Sequence, residues 1–177
     1  MEINELISAL LYENKEFKSF KSIIKALFIC GNKNAVFLIR VFQIFSKLKI
    51  GFVSYFIRNR LIKKYGIFIT SNTVIEKGLT LPHPDGIIFG DKAVIGRDVI
   101  IFQQVTVGSR CVGGRGEVQY PVIGDECVLS SGCKILGSIN VGSRTVVGSN
   151  AVLLNSTKDN STMVGIPAKD VNNEKNI

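Results

Sequence analysis

One histidine, His83, occurs in the chain of 177 residues, within the stretch LPHPDGII. An imidazole can both accept and donate a proton near neutral pH, which no other side chain does without a large pKa shift. His83 is therefore the first candidate for acid-base chemistry. A turn residue held between two prolines is the alternative, and the surrounding architecture has to decide between them.

The four cysteines are Cys30, Cys111, Cys127 and Cys133, and none of their spacings is that of a metal-binding CxxC pair. We predict free thiols and no metal site. The N-terminal sequence MEINELISALLYENKEF is acidic and polar, unlike a cleavable signal peptide, so we expect a cytoplasmic protein.

Positive charge is concentrated in the first 70 residues, which carry 12 Lys and Arg against 4 Asp and Glu, whereas the rest of the chain is neutral. No nucleic-acid recognition motif accompanies these cations, so we expect no nucleic-acid partner. Because they are interspersed with Phe, Ile and Leu, two readings stay open: peripheral contact with an anionic membrane surface, and a solvated helix face. No apolar run reaches the roughly 18 residues that a membrane-spanning helix needs.

The residues before position 67 have helical periodicity. Apolar side chains recur every three or four positions through residues 3–64, with a break at Gly31-Asn32-Lys33-Asn34. We therefore predict an α-helical N-terminal segment over residues 1–66.

From residue 67 the period changes to six. Aliphatic residues recur at this spacing in three series, separated by a shift of two and by a gap of sixteen. The series are Ile69, Ile75, Leu81, Ile87; Phe89, Ile95, Ile101, Val107; and Ile123, Leu129, Ile135, Val141, Val147, Leu153.

A six-residue period predicts a parallel β-helix in which each unit is one short strand and a turn, and three units close a triangular coil of eighteen residues. Gly, Asn and Asp are expected at the corners, where branched residues are disfavoured. Cys127 and Cys133 occupy the small-residue position of successive units, which favours a packing role for both thiols.

The gap between Val107 and Ile123 is twelve plus four residues, so an excursion loop is predicted over residues 108–121. It is rich in glycine and contains Arg110 and Arg115; a lid and a phosphate-binding loop are the two readings of it. The predicted β-helix thus covers residues 67–171, with a tail over 172–177.

Several motifs in this region resemble one known family. They are PHPxGIxxG from Pro82, AVIGxxVxIxQxVTxG from Ala93, YPxIGDxCVxxxGxKILGxIxVG from Tyr120 and VGxPAK from Val164. Together they are similar to the left-handed β-helix acyltransferases of the hexapeptide-repeat superfamily, and within it to the serine O-acetyltransferase-like branch, which includes polysaccharide O-acetyltransferases.

The resemblance implies acetyl-CoA as donor, a hydroxyl as acceptor, no metal, and a homotrimer with active sites between neighbouring β-helices. It also implies that His83 is the catalytic base. The CoA-binding positions that match the family are Gly108, Ser109, Ser131, Gly132, Lys134, Gly148, Ser149 and Lys169, and the acceptor-side candidates are Asp85, Arg110 and Tyr120.

Three positions depart from the serine-specific pattern of the family. Pro82 stands where an aspartate precedes the histidine, Phe68 where a second aspartate orients it, and Tyr120 where a second histidine lies. Asp85 and Glu76 are the nearest carboxylates in sequence that could orient His83 instead.

These departures make a sugar hydroxyl of a bacterial surface polysaccharide, or its precursor, the expected acceptor. Serine O-acetyltransferase activity is the alternative, with the same donor and base. A non-catalytic β-helix scaffold is a third reading, because fold alone does not establish function.

Overall fold

The computed structural model describes residues 1–13, 32–110 and 119–172, which form three helices and thirteen strands. The helices are α1 (Ile3–Glu13), α2 (Asn32–Lys47) and α3 (Gly51–Tyr65). The apolar positions between residues 14 and 31, together with Cys30, Cys111 and Arg115, lie outside the described residues.

Helix α2 forms the centre of the helical layer. Its residues 35–39 are buried without interruption, and α1 and α3 both pack against it. Helix α3 buries one face, formed by Ser54, Ile57, Leu61 and Tyr65. It ends at Gly66, whose left-handed backbone (φ 62°) lets its N–H reach the carbonyl oxygens of the last helical turn.

A buried ion pair fastens the helices to the first coil of the β-helix. The Arg40 guanidinium, fully buried on α2, donates to both carboxylate oxygens of Glu13 and to the carbonyls of Ile75 and Glu76. The Glu13 carboxylate also accepts the backbone N–H groups of Gly78 and Leu79, at 2.8 and 2.9 Å. The two buried charges therefore neutralise each other and also provide hydrogen-bond partners for backbone groups of the first coil.

The strands are short and mostly two residues long. They are β1 (Val74–Ile75), β2 (Ile88–Phe89), β3 (Val94–Ile95), β4 (Ile100–Ile101), β5 (Thr106–Gly108), β6 (Val122–Ile123), β7 (Val128–Leu129), β8 (Lys134–Leu136), β9 (Asn140–Val141), β10 (Val146–Val147), β11 (Val152–Leu153), β12 (Thr162–Val164) and β13 (Lys169–Asp170).

These strands form three sheets, ordered β1-β3-β6-β9, β2-β5-β8-β11 and β4-β7-β10-β12-β13. All pairs are parallel except β12–β13. From β1 to β12, consecutive strands belong to different sheets, so each sheet is one face of a triangular solenoid. In every two-residue strand from β1 to β11 the second side chain points into the buried core.

The register gives the length of each coil. Val122 pairs with Asn140 and Ile88 with Thr106, both eighteen residues apart, as predicted. Val94 pairs with Val122, twenty-eight residues on.

This coil is therefore ten residues longer than a regular coil of eighteen. The sixteen residues from Val107 to Ile123 are one six-residue repeat plus the ten residues that the excursion adds to one corner. The expected division into twelve plus four is wrong, since spacing alone cannot say how many faces a gap crosses.

The corners accept more residue types than predicted. Gly, Asn and Asp do occupy left-handed positions, as at Gly132, Asn150 and Asp98, but so do long unbranched residues. These are Lys92, Gln104, Glu126 and Arg144. None is β-branched, which is the class that a left-handed backbone disfavours most.

Candidate functional site

His83 lies in a corner that is two residues wider than the regular corners of the solenoid. Five residues, 82–86, join the inward side chains of Leu81 and Ile87, whereas three, 96–98, join the equivalent Ile95 and Val99. The register of β1 and β3 shows the same insertion, because Val74 pairs with Val94 twenty residues on, two more than in a regular coil of eighteen. The extra length carries the imidazole out of the coil, and His83 is exposed.

The His83 corner comprises residues 82–86, 102–104, 130–132 and 148–150, stacked along one edge of the solenoid. Backbone hydrogen bonds link its levels: the Gln104 N–H donates to Asp85, that of Gly132 to Gln103, and that of Asn150 to Ser131. Neighbouring levels are spaced as adjacent strands are, roughly 4.8 Å apart. The corner is thus a continuous surface leading away from His83.

Within the part of the chain that the structure describes, the imidazole of His83 has one ring neighbour, Phe102, with centroids 6.3 Å apart and planes tilted by 42°. Among the described residues no carboxylate is hydrogen-bonded to it. Asp85 is bonded through its backbone, with its N–H donating to the His83 carbonyl at 2.9 Å. Glu76 lies at a different corner, beside Arg40 and Arg97, so it does not orient His83.

Four of the predicted CoA positions lie on the His83 corner. The hydroxyls of Ser131 and Ser149 are 3.3 Å apart on successive levels. Gly132 has a left-handed backbone, and a Cβ there would meet Asn150 Oδ1 at 2.2 Å; at Gly148 it would meet Val164 at 3.0 Å. Small residues therefore keep this surface shallow enough for a ligand to approach the backbone.

The two predicted lysines differ in their surroundings. Lys134 Nζ donates to the carbonyls of Gln104 and Gly132, at 2.7 and 2.9 Å, so it ties two levels of the His83 corner together. Lys169, in the antiparallel strand β13, is exposed. Of the two, Lys169 has the freer ammonium for a phosphate.

The remaining predicted residues lie on another edge. Gly108, Ser109, Arg110 and Tyr120 belong to the excursion corner, defined by residues 70–72, 90–92, 108–110, 119–121 and 137–138. The Tyr120 ring packs over Gly90 and Arg110 lies against Gly137. Strand β5 separates this corner from Gln104, a distance of roughly 13 Å at 3.3 Å per residue. One chain therefore does not bring Tyr120 and Arg110 to His83.

Two further residues of the His83 corner were not predicted as site residues. Phe102 supports the imidazole, and the side-chain oxygen of Gln103 is buried with no hydrogen-bond partner in the described part of the chain. Gln103 belongs to the quoted motif IxQxVTxG, which was the available signal.

The cysteines that the structure describes are packed inside the solenoid. Burial raises the pKa of the Cys133 thiol to about 12 and raises that of Cys127 as well. Within residues 1–13, 32–110 and 119–172, no group of three or more His, Cys, Asp or Glu side chains is arranged to hold a metal ion.

A solenoid of six-residue repeats with one exposed histidine above a corner of small residues is the architecture of the hexapeptide-repeat acyltransferases. No family model matches the chain. A serine acetyltransferase of Bacillus pumilus is 31% identical over 151 residues, covering 85% of this chain and 69% of the relative. On these grounds the chain belongs to the serine acetyltransferase family, so it is an acyltransferase that uses acetyl-CoA as donor.

Two further relatives differ in what they cover. A serine acetyltransferase of Staphylococcus aureus is 37% identical over 102 residues, and the chain spans about half of it, 47%. The solved soybean serine acetyltransferase complexed with serine has a TM-score of 0.78 and 27% identity, over 95% of this chain and 70% of that one. This likeness confirms the predicted left-handed β-helix behind a helical segment. None of the helices described here is long and apolar enough to cross a membrane.

Proposed function

We propose that the chain transfers an acetyl group from acetyl-CoA to the hydroxyl of serine, with His83 as general base. The observation that carries this proposal is the exposed His83 on a widened corner, in a chain whose relatives are serine acetyltransferases. None of the relatives reported above supports the expected carbohydrate acceptor. They support the alternative acceptor, serine, because they are serine acetyltransferases.

The chemistry requires one proton carrier. The serine hydroxyl gives its proton to the His83 imidazole as its oxygen attacks the thioester carbonyl, forming the new C–O bond. The oxyanion of the tetrahedral intermediate is stabilised by backbone N–H donors. When the C–S bond breaks, the imidazolium returns the proton to the departing CoA thiolate. His83 ends as it began, and no other group has to change charge.

The donor would lie along the His83 corner. Ser131, Gly132, Gly148 and Ser149 would give the pantetheine arm a surface of small side chains, and the exposed Lys169 would meet a phosphate. Three steps from the first to the fourth level span roughly 14 Å at the spacing of adjacent strands, a length suited to an extended arm.

The active form is proposed to be a homotrimer with a site between subunits. His83 lies on one corner, whereas Ser109, Arg110 and Tyr120 lie on another, too far away to meet it in the same chain. If the two corners face each other across a three-fold interface, every predicted residue contributes to one of three equal sites.

A sugar hydroxyl is the second candidate acceptor, because of what stands beside His83. A serine substrate carries an ammonium and a carboxylate that have to be matched by charged groups. Phe68, Pro82 and Tyr120 are uncharged at positions where the serine-specific pattern has charged or titratable ones, and Phe68 is half exposed. A neutral acceptor makes no such demand.

The test is CoA-thiol release from acetyl-CoA with L-serine and with a panel of hexoses and N-acetylhexosamines, with mass spectrometry of the products. Saturable formation of O-acetylserine supports the proposal. Acetylation of a sugar without turnover of serine would transfer it to the second candidate. If none of these acceptors leads to thiol release, the result would favour a non-catalytic scaffold.

A further inference from the structure

The helical layer carries an exposed surface for which acetyl transfer gives no reason. This hairpin surface is formed by the last turn of α2, the connection and the first two turns of α3. Its members are Lys47, Leu48, Lys49, Ile50, Phe52, Tyr55, Phe56 and Arg58, all of them exposed.

Aromatic side chains occupy the solvent side of α3. Phe52, Tyr55 and Phe56 are 84%, 66% and 59% exposed, and their i, i+3, i+4 spacing places them on one face of the helix. The opposite face, with Ile57 and Leu61, is buried against the helical layer. Contiguous exposed apolar residues rimmed by polar ones mark an interaction site.

The rim of the hairpin surface is cationic and free of acid groups. Residues 32–75 contain eight Lys and Arg and no Asp or Glu. Asp91, a carboxylate of the adjoining coil, accepts hydrogen bonds from Thr70 and Asn72, at 2.7 and 3.0 Å. Any partner that matches this surface in charge is therefore an anion.

Two adjoining clefts open beside the hairpin surface, between it and the first coil. Their volumes are about 560 and 350 Å³, and both are lined by Ser46, Lys49 and Ser71. Lys47 and Lys92 also line the first cleft and Arg58 the second, and among the residues that the structure describes no carboxylate lines either of them. Ammonium groups combined with hydroxyls suit a phosphate oxyanion.

We infer that the hairpin surface docks the protein on a bilayer containing anionic phospholipid. The clefts take phosphate headgroups, while Phe52 and Phe56 enter the boundary between headgroups and acyl chains. Apolar insertion and electrostatic attraction act together in such in-plane binding, and neither suffices alone. Acetyl transfer would then occur at the membrane surface, whichever hydroxyl accepts the group.

The test is flotation of the full chain with vesicles of phosphatidylcholine alone and with vesicles that also contain phosphatidylglycerol. Wild type is expected to float with the anionic vesicles only. Each basic residue near an anionic surface contributes about fivefold to partitioning, so Lys47→Gln/Lys49→Gln should lower it about 25-fold. Phe52→Ser/Phe56→Ser should abolish flotation.

The matched control is Lys77→Gln/Lys158→Gln, which removes two exposed charges that belong neither to the hairpin surface nor to the two clefts, and it should float as wild type does. All variants should keep acetyltransferase activity, because none changes a residue of the proposed site. Absence of flotation, or equal flotation with both kinds of vesicle, would overturn the inference. The inference would also be overturned if the oligomer of Phe52→Ser/Phe56→Ser had a lower molecular mass in solution than that of wild type. Such a result would mean that a second copy of the chain covers the hairpin surface in wild type.

Discussion

His83 has the exposure of a general base but little support around it. Its imidazole touches Phe102 and, within the described residues, has no hydrogen-bonded carboxylate to fix its orientation. In the proposed trimer, we expect the substrate and a neighbouring subunit to orient the ring. His83 should therefore matter greatly for acetyl transfer and little for folding.

We expect His83→Ala and His83→Asn to lower kcat/KM for acetyl transfer by about 100-fold or more, the lower range for loss of a general base. Thiol release from acetyl-CoA measures this effect. The melting temperature of both variants should equal that of wild type because the side chain is exposed. A fall of less than tenfold in both would mean that another group removes the proton.

The buried thiols should be chemically silent. With a pKa of about 12 for Cys133, almost no thiolate exists at neutral pH. We expect a disulfide reagent to leave Cys127 and Cys133 unmodified in the native protein and to label both in guanidinium, as mapped by peptide mass spectrometry. Rapid native labelling of either one would contradict the packing described here.

The same shift has a consequence for stability. Because the folded pKa of Cys133 lies above its ordinary value of 9.0, folding is unaffected by this group below that pH. The free energy of unfolding should therefore fall as the pH rises from about 9 towards 12, because the Cys133 thiol loses its proton more readily in the unfolded chain than in the folded one.

The coil is the element that the sequence predicts best. A period of six, with inward aliphatic residues and small residues between them, identified the β-helix, because every coil repeats the same packing problem. The corners were predicted less well. Glu126 and Arg144 take left-handed conformations that their residue types do not predict, because hydrogen bonds to the preceding coil fix the backbone there.

The helical layer and the length of the excursion were harder to predict. The pairing of Glu13 with Arg40 joins residues far apart in sequence, and no periodicity indicates it. The spacing between Val107 and Ile123 allowed more than one division. At the site, the motif order indicated His83 and the small residues of its corner, whereas only coordinates could show that Tyr120 lies on another edge.

Stacked corners approach each other closely at selected glycines. A Cβ at Gly142 would lie 2.4 Å from the backbone of Lys158 and Asp159, whereas one at Gly51 would meet nothing within 4 Å. We expect Gly142→Ala to destabilise the fold by about 1–3 kcal/mol, the usual cost of overpacking, and Gly51→Ala to be neutral. Urea unfolding measures both, and equal effects would contradict the stacking at this corner.

The junction between the helices and the first coil depends on the Glu13–Arg40 pair. Arg40→Met leaves a buried carboxylate without its partner and should cost about 3–5 kcal/mol. Glu13→Gln/Arg40→Met removes both charges but keeps an acceptor for Gly78 and Leu79, so it should be more stable than the single variant. Urea unfolding at fixed protein concentration compares them; a less stable double variant would count against this role.

The proposed assembly gives each site residues from two subunits. If so, His83→Ala and Tyr120→Ala, each impaired alone, should complement one another when co-refolded. Random mixing leaves about a quarter of the interfaces with both corners intact, so about a quarter of wild-type activity should return. Sedimentation should give three times the chain mass of 19.4 kDa. No recovery in mixed trimers would place the whole site in one chain.

A crystal structure of the protein with CoA tests the central claim most directly. The account predicts CoA along the His83 corner, passing Ser131 and Ser149, with its sulfur either within roughly 3–4 Å of the His83 imidazole or linked to it through one water. CoA bound at another corner, with its sulfur far from every His83 of the assembly, would contradict it.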